Sequence, residues 1–470
     1  MLNCPYAKKC GGCQLQNMTY EQQLSHKQVK VIRLVGKLCH VEEIMGMETP
    51  SRYRNKSTHA FSFYRGKVIS GLYQASHRKV IPVEDCLLED EAVAPMAATL
   101  RKLAATLKIP VYDLQTGKGN LRTLLVRKSF SSGEVMAVIV TKFDKFPQKQ
   151  ALAEAFLRSH PEITTLVWNV NPTDTPVFLG NKSEVLYGDG YITDTLCGLQ
   201  FRVSPASFYQ INPVQTEVLY GKAKEFAALT GKERVIDAYC GTGTIGLTLA
   251  KDAKEIIGVE TNPQAVADAV ENAKLNGITN AKFICRDAGQ FLEEAAKRRE
   301  KVDVVVTDPP RAGCSKQFLQ SLLALAPKRV VYVSCNPETL ARDLFTLSKG
   351  GYKVKTVQPV DMFPQTGHVE TVVLLSQLKS TDHVKVEIDL TDDDLTPSEA
   401  KGTYDDIKKY VYDKYQVKVS SLYISQVKRK LGLPVGESYN KPKSENSRVP
   451  NCPDEKEKLI VEALRHFKMI

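Results

Sequence analysis

The sequence predicts an α/β protein: a doubly wound parallel sheet with an antiparallel last strand, preceded by an α+β region and followed by a small helical module. Three observations carry that prediction. From residue 206 to 378, apolar β runs alternate regularly with segments of helical periodicity, the signature of βαβ units. The last two β runs of that stretch, YKVKTVQPV and HVETVVLLSQL, are joined by DMFPQTG alone. A joint that short cannot hold a crossover, so the pair is an antiparallel hairpin. Finally, the first β run ends in the glycine-rich turn Asp237-Ala-Tyr-Cys-Gly-Thr-Gly-Thr-Ile-Gly, which leads straight into a helix.

Taken in order, the chain opens on a polar loop holding Cys4, Cys10 and Cys13. Residues 20–45 read as a helix, with Leu24, Val29, Ile32, Val35 and Leu38 near helical spacing. From about 49 to 205, the runs THAFSFY, KVISGLYQ, LRTLLVRK, EVMAVIVTK and TTLVWNV read as strands, and AVAPMAATLRKLAATL and QALAEAFLRSH as helices. This is an α+β region with a substantial antiparallel sheet. A helix over 213–229 then precedes five strands, RVIDAY, EIIGVE, AKFICRD, VDVVVTD and RVVYVS, with helices between them. Beyond 379, the acidic run DLTDDDLTPSE reads as a solvated linker. YDDIKKYVYDKY, SLYISQVKRKLGL and LIVEALRHF read as three helices, the second carrying Lys428, Arg429 and Lys430. The expected divisions are 1–205, 206–379 and 380–470, the last an appended helical module with a basic helix for RNA.

Composition bounds the function. A chain of 470 residues suggests roughly three domains. An apolar content of 43% and a charged content of 25% fit a soluble globular protein. No apolar run reaches the length of about 18 residues that a membrane helix needs. The start, MLNCPYAKKCGGCQLQ, lacks a secretory pattern, so a cytoplasmic location is expected. The net charge of +11 is compatible with a nucleic-acid partner and equally with a solvated basic surface. Eleven cysteines in a reducing compartment are packing residues, metal ligands or reactive thiols, not a disulfide framework.

Gly241, Gly243 and Gly246 form G-x-G-x-x-G between a strand and a helix, which lets a ligand approach the backbone. Glu260 ends the second strand, where a carboxylate can hold ribose hydroxyls; dinucleotide enzymes share that feature. Asp237 discriminates. A carboxylate ahead of the glycine loop repels a pyrophosphate but suits S-adenosylmethionine (SAM), which carries an ammonium and no phosphate. With Asp287 on the third strand end and the antiparallel last strand, the architecture is that of a Rossmann-like SAM-dependent methyltransferase.

Ligands of such sheets bind at the carboxyl ends of the strands. The fourth strand ends in Asp308-Pro309-Pro310-Arg311 and the fifth in Cys335; the antiparallel last strand starts at the same edge with His368 and Glu370. Arg311 stands where adenine-methylating enzymes carry an aromatic residue, which argues against that chemistry. A thiol and a carboxylate facing a methyl donor suit pyrimidine C5 instead. Thiolate addition at C6 makes C5 nucleophilic, and a base then removes the C5 proton. Cys335 is the expected nucleophile and Glu370 the expected base. A lone cysteine at a strand end is by default packing; its convergence with Glu370 and the glycine loop reverses that default.

The segments DPPRAGC, VVYVSCNPETLARDL, FPQTGHVE, YRNK (53–56) and SFYQINPVQTEVLY (207–220) resemble the RNA (uracil-5-)-methyltransferase family, over about residues 1–378. The resemblance implies that Gln210, Tyr239, Glu260 and Asp308 contact SAM, that Cys335 attacks uracil C6 and that Glu370 takes the C5 proton. Gln210 is not readable from spacing. Cys4-x5-Cys10-x2-Cys13 with the distant Cys86 holds one C-x2-C pair only, which leaves zinc and an iron–sulfur cluster both open. The pattern C-x5-C-G-G-C with a remote fourth cysteine looks like the [4Fe–4S] motif of the ribosomal RNA branch of the family. It implies 23S rRNA, with a flipped-out uridine, as substrate; the radical-SAM spacing C-x3-C-x2-C is absent. RYRNK and HRK are expected to hold the RNA, and no membrane or obligate protein partner is expected. Two departures stand out: no small β-barrel precedes the cysteines, and Gln365 replaces a histidine common among relatives. The alternatives are a tRNA uracil-5 enzyme, a cytosine-5 RNA methyltransferase and a noncatalytic RNA-binding protein. The cytosine enzymes carry a second cysteine in a P-C motif near the position of Asp308, whereas here Pro309 follows and Cys314 lies further on.

Overall fold

The structure, a computed structural model, describes residues 3–74, 79–175, 177–378, 404–417, 419–431 and 452–467. The chain forms two compact units, Met1–Asp382 and His383–Ile470.

An eight-stranded sheet organises the first unit. Its centre is Arg234–Ala238, with Glu255–Glu260 and then Ala281–Cys285 on one side and Val304–Thr307 and then Arg329–Ser334 on the other, all parallel. Glu370–Gln377 follows, antiparallel to Arg329–Ser334, and Tyr352–Val360 pairs antiparallel with it. The strand order reverses at Arg234–Ala238, the switch point where such sheets open a crevice. Strands such as Val304–Thr307 are buried throughout because helices cover both faces. Three of the helices begin with the same device. Asn212, Asn262 and Asn336 each cap a first turn through the side chain and are followed by proline at the first helical position.

The two faces of this sheet carry separate apolar clusters, one around Val235, Val304 and Val331, the other around Ile236, Val305 and Val330. The first also takes in Leu125, Met136, Val138 and Val167 from the preceding α+β region. Residue 205 therefore marks a change of sheet within one continuous core.

The α+β region holds a seven-stranded sheet, in the order Val80–Pro82, Lys67–Tyr73, Lys56–Tyr64, Leu121–Lys128, Val135–Thr141, Ile163–Val170, Lys182–Tyr187. Its pairs are antiparallel except Val135–Thr141 with Ile163–Val170, which helix Lys149–Ser159 connects in parallel. The edge strand Lys182–Tyr187 and the hairpin Ile192–Leu196/Leu199–Val203 are additions to the sequence reading. The N-terminal helix also differs from expectation. It spans Tyr20–Val35 and stops at Gly36, a poor helix former, and His40–Val41 joins the large sheet beside Thr356 and Val357.

In the second unit, helices Tyr404–Tyr415, Ser421–Lys430 and Asp454–His466 pack around Ile407, Val411, Ile424, Val427, Ile460 and Leu464. The third helix begins five residues earlier than its apolar pattern suggests, because Asp454, Glu455 and Glu457 favour a helix N-terminus. The basic face expected on the second helix is reduced: Lys428 is buried and Lys430 is ion-paired with Glu457 at 2.6 Å. The acidic run DLTDDDLTPSE lies outside the described residues. Among the described residues, no helix is long and apolar enough to cross a membrane.

Candidate active site

The glycine turn after Arg234–Ala238 is built around Asp237. Its Oδ2 accepts from the Gly246 backbone N–H at 2.7 Å, and a Cβ on Gly246 would stand 2.7 Å from that oxygen, so only glycine leaves room for the bond. Asp237 Oδ1 is buried with no hydrogen-bond partner. Burial, with Asp308 and Glu260 nearby, pushes the Asp237 carboxyl up to about 7 against the Gly246 N–H. An orphaned, buried carboxylate oxygen fits a cationic group such as the SAM ammonium. Glu260 is held in place by Gly241 N–H at 3.2 Å on one oxygen and by Asn262 N–H at 2.8 Å and Thr261 Oγ1 at 3.1 Å on the other. A cavity of about 120 Å³ lies between Glu260, Gly241, Asn262 and Phe208. Tyr239, at φ +62°, turns the chain out of the strand, and its half-buried ring lies 5.3 Å from that of Phe318. Gln210 is half-buried, and its carbonyl accepts from Asn55 Nδ2 at 3.0 Å. Asp287 caps helix Ala288–Lys297, its Oδ1 accepting from the Gln290 N–H at 2.9 Å.

At the catalytic edge the sheet register does the positioning. Ser334 pairs with Thr371 as the last pair of the two strands, which leaves Cys335, just past one strand end, and Glu370, the first residue of the other strand, at the same edge of the sheet. Asn336 ends the strand after Cys335 and its Nδ2 donates to the Arg311 carbonyl at 3.1 Å, tying the fifth strand end to the D-P-P-R turn. The electrostatics form one coupled set. Burial, then the charge of Asp308, pushes the Glu370 carboxyl up to about 8, against Arg311. Burial holds Asp308 at about 7. Burial, then Glu370 and Asp308, pushes the Cys335 thiol up to about 11, again against Arg311. Burial and four nearby cations, Arg311 foremost, hold the half-buried His368 imidazole below its usual value.

The segment leading to Glu370 is clamped by residues that sequence reasoning did not single out. Lys27 Nζ meets Asp361 Oδ1 at 2.6 Å and donates to the Phe363 carbonyl at 3.1 Å. Tyr20 OH donates to the other Asp361 oxygen at 3.0 Å, and Tyr53 OH to the Pro364 carbonyl at 3.0 Å. Gln365, at φ +72°, exchanges two bonds of 2.9 Å with the Gln23 side chain. The cysteine loop also reaches this segment, through Leu15 N–H to the Gln365 carbonyl at 3.0 Å and Gln14 Oε1 from Gly367 N–H at 3.2 Å. Of the expected RNA-holding segments, RYRNK is largely interior, with Tyr53 buried; HRK lies mostly outside the described residues.

Cys13 and Cys86 pack together against Met47, Tyr53 and Leu88. Burial pushes Cys13 up to about 11, with Cys10 and Cys4 adding to the rise, and Cys86 up to about 12, with Glu89 and Cys13 adding. The four thiols thus share one neighbourhood. Among the described residues, however, no three metal-ligating side chains stand close enough to hold a metal ion.

Residues 181–378 match the family described as tRNA (Uracil-5-)-methyltransferase. An RNA methyltransferase of Halalkalibacterium halodurans is 45% identical over 377 residues, covering 79% of this chain and 82% of that one. The chain belongs to the tRNA (uracil-5-)-methyltransferase family. A Clostridium tetani RNA methyltransferase is 44% identical over the same length and covers 79% of this chain. Among solved structures, the Pyrococcus abyssi tRNA (uracil-54, C5)-methyltransferase in complex with S-adenosyl-L-homocysteine is similar, with a TM-score of 0.64 and 28% identity, covering 78% of this chain and 86% of that one. As an RNA (uracil-5-)-methyltransferase, this chain takes its methyl group from SAM, and the carboxyl-end crevice of its large sheet is where family and geometry coincide.

Proposed function

We propose that this enzyme methylates C5 of a flipped-out uridine in 23S rRNA, with Cys335 as nucleophile and Glu370 as base. The observation that carries the reading is the Ser334–Thr371 pair, which leaves Cys335 and Glu370 next to it at one edge of the sheet. The Cys335 thiolate adds to C6, and the electron pair of the C5–C6 bond is displaced toward C5. SAM, when bound, supplies the methyl group that C5 takes. Glu370 then accepts the C5 proton, the C5–C6 double bond re-forms and the S–C6 bond breaks, returning the thiolate. Both side chains must be deprotonated for their roles, and Arg311 favours that form in each. Asp237, Glu260, Asp308, Tyr239 and Gln210 hold the cofactor, the buried Asp237 carboxylate facing its ammonium.

Cys4, Cys10, Cys13 and Cys86 would hold a [4Fe–4S] cluster. A cubane is wider than a single ion, so its thiolates stand further apart than zinc ligands do. Its chemistry there is that of a staple tying the N-terminal loop to residue 86, in the cytoplasm. The same cysteine spacing supports ribosomal RNA as substrate. The test uses RNA containing 5-fluorouridine, whose C5 fluorine Glu370 cannot remove. Wild type forms a covalent adduct and Cys335→Ala forms none; an undiminished adduct in that variant overturns the nucleophile assignment. Mass spectrometry of a deletion strain decides the substrate: 5-methyluridine disappears from 23S rRNA, and its loss from tRNA instead overturns the ribosomal reading.

A further inference from the structure

The hairpin formed by Lys56–Tyr64 and Lys67–Tyr73 turns through Arg65 and Gly66, both at positive φ, the two-residue turn that matches strand twist. Its tip carries two large aromatic side chains in solvent, Phe63 at 63% exposure and Tyr64 at 45%. Cations lie over the second: the Arg65 guanidinium 5.2 Å and Lys79 Nζ 5.7 Å from the Tyr64 ring centroid. Beside the tip opens a cleft of about 570 Å³ between the hairpin, helix Val93–Thr106 and residues 108–111. Phe63 forms part of its wall. Lys67, Lys102 and Lys108 line it, no carboxylate does, and no carboxylate pairs with these three among the described residues. The remaining lining cation, Arg101, is engaged by Glu84 at 2.7 Å.

Scattered exposed aromatics are ordinary on protein surfaces. Here they coincide with unneutralised lysines and with cations already stacked on a ring. That combination, π-faces for bases and positive charge for the backbone, is how single-stranded nucleic acid is held without sequence reading.

We propose that this hairpin tip and its cleft form a second RNA-contact site that grips single-stranded RNA flanking the target uridine. The proposal rests on the RNA substrate read above. Its reach follows from the strand. Asn55 bonds the carbonyls of Gln210 and Ile211 at the crevice end. Nine strand residues at about 3.4 Å each then carry the tip roughly 31 Å away. The RNA gripped there lies several nucleotides from the flipped base.

The experiment compares, in the full-length chain, a short RNA of about 6 nucleotides around the target with one of about 25 nucleotides that extends past it. Phe63→Ala/Tyr64→Ala and Lys67→Glu/Lys102→Glu/Lys108→Glu are the two variants, their folding checked by circular dichroism. For the long RNA, the aromatic variant binds about 10-fold more weakly. The lysine variant lowers the slope of log affinity against log salt by about 2. Both bind and methylate the short RNA as wild type does. Unchanged affinity for the long RNA, or equal loss on both lengths, overturns the proposal. Failure of wild type to methylate either RNA overturns the function itself and is distinguishable from those outcomes.

Discussion

Lys27 Nζ lies 2.6 Å from Asp361 Oδ1, and neither side chain reaches solvent. The pair joins helix Tyr20–Val35 to the start of the segment that ends at Glu370. Removing one member of a buried pair strands the other charge. Lys27→Met is expected to cost about 3–5 kcal/mol of unfolding free energy in a urea titration. Lys27→Met/Asp361→Leu, which removes both charges, is expected to recover most of that. A single variant as stable as wild type would contradict the role assigned to the pair.

Glu370→Gln keeps the shape of the base and removes its proton acceptor. Cys335 still adds and the methyl group still arrives, but the C5 proton stays. A covalent RNA–protein complex therefore accumulates on ordinary uridine RNA, visible on a denaturing gel, while turnover falls about 10²–10⁴-fold. Loss of turnover with no trapped complex would place Glu370 outside the proton-transfer step.

Arg311 opposes the raised pKa values of both Cys335 and Glu370. With the thiol near 11 and the carboxyl near 8, single-turnover methylation is expected to rise with pH between 7 and 9. In Arg311→Ala that rise moves to higher pH, since both groups lose a cation that favours their charged forms. An unshifted profile would separate Arg311 from the catalytic pair.

Glu370 also sets a pH dependence of stability. Its carboxyl holds a proton more tightly in the folded chain, at about 8, than in the unfolded one, where it has the ordinary value of 4.5. It therefore contributes stability that is fully present below pH 4.5 and is lost as pH rises toward 8. Glu370→Gln is expected to raise the thermal midpoint relative to wild type more at pH 8.5 than at pH 5. Equal changes at the two pH values would mean that burial does not hold that proton.

Glu260 spends its oxygens on Gly241, Thr261 and Asn262, so its carboxylate is fixed before a ligand arrives. Glu260→Ala is expected to weaken SAM binding about 10–100-fold by calorimetry, the value of a charged hydrogen-bonding partner. Unaltered SAM affinity would remove Glu260 from the cofactor site.

Much of the sheet was legible because its signals are local. Asn-Pro pairs open helices, apolar runs give parallel strands, and a short joint forces a hairpin. Cys335 and Glu370 followed from strand-end logic plus chemistry. The clamp was hidden, because Lys27 reads as a surface lysine on an amphipathic helix and its partner lies 334 positions away. The parallel pairing of Val135–Thr141 with Ile163–Val170 was hidden because alternating runs look alike in either direction. His40–Val41 is too short to announce itself, and the acidic start of Asp454–His466 masks a helix whose apolar stripe begins later.

Glu370 begins a strand flanked on both sides, by Arg329–Ser334 and Tyr352–Val360. Backbone amides in such a strand exchange with solvent only through near-global opening. The proposed base, Glu370, thus starts a strand expected to exchange slowly, and Cys335 sits one residue past its neighbour's end. With residues 361–367 clamped, the breathing that admits a nucleotide is expected from the facing loop, residues 204–211. Deuterium uptake on RNA binding is expected to fall there while the strand behind stays silent.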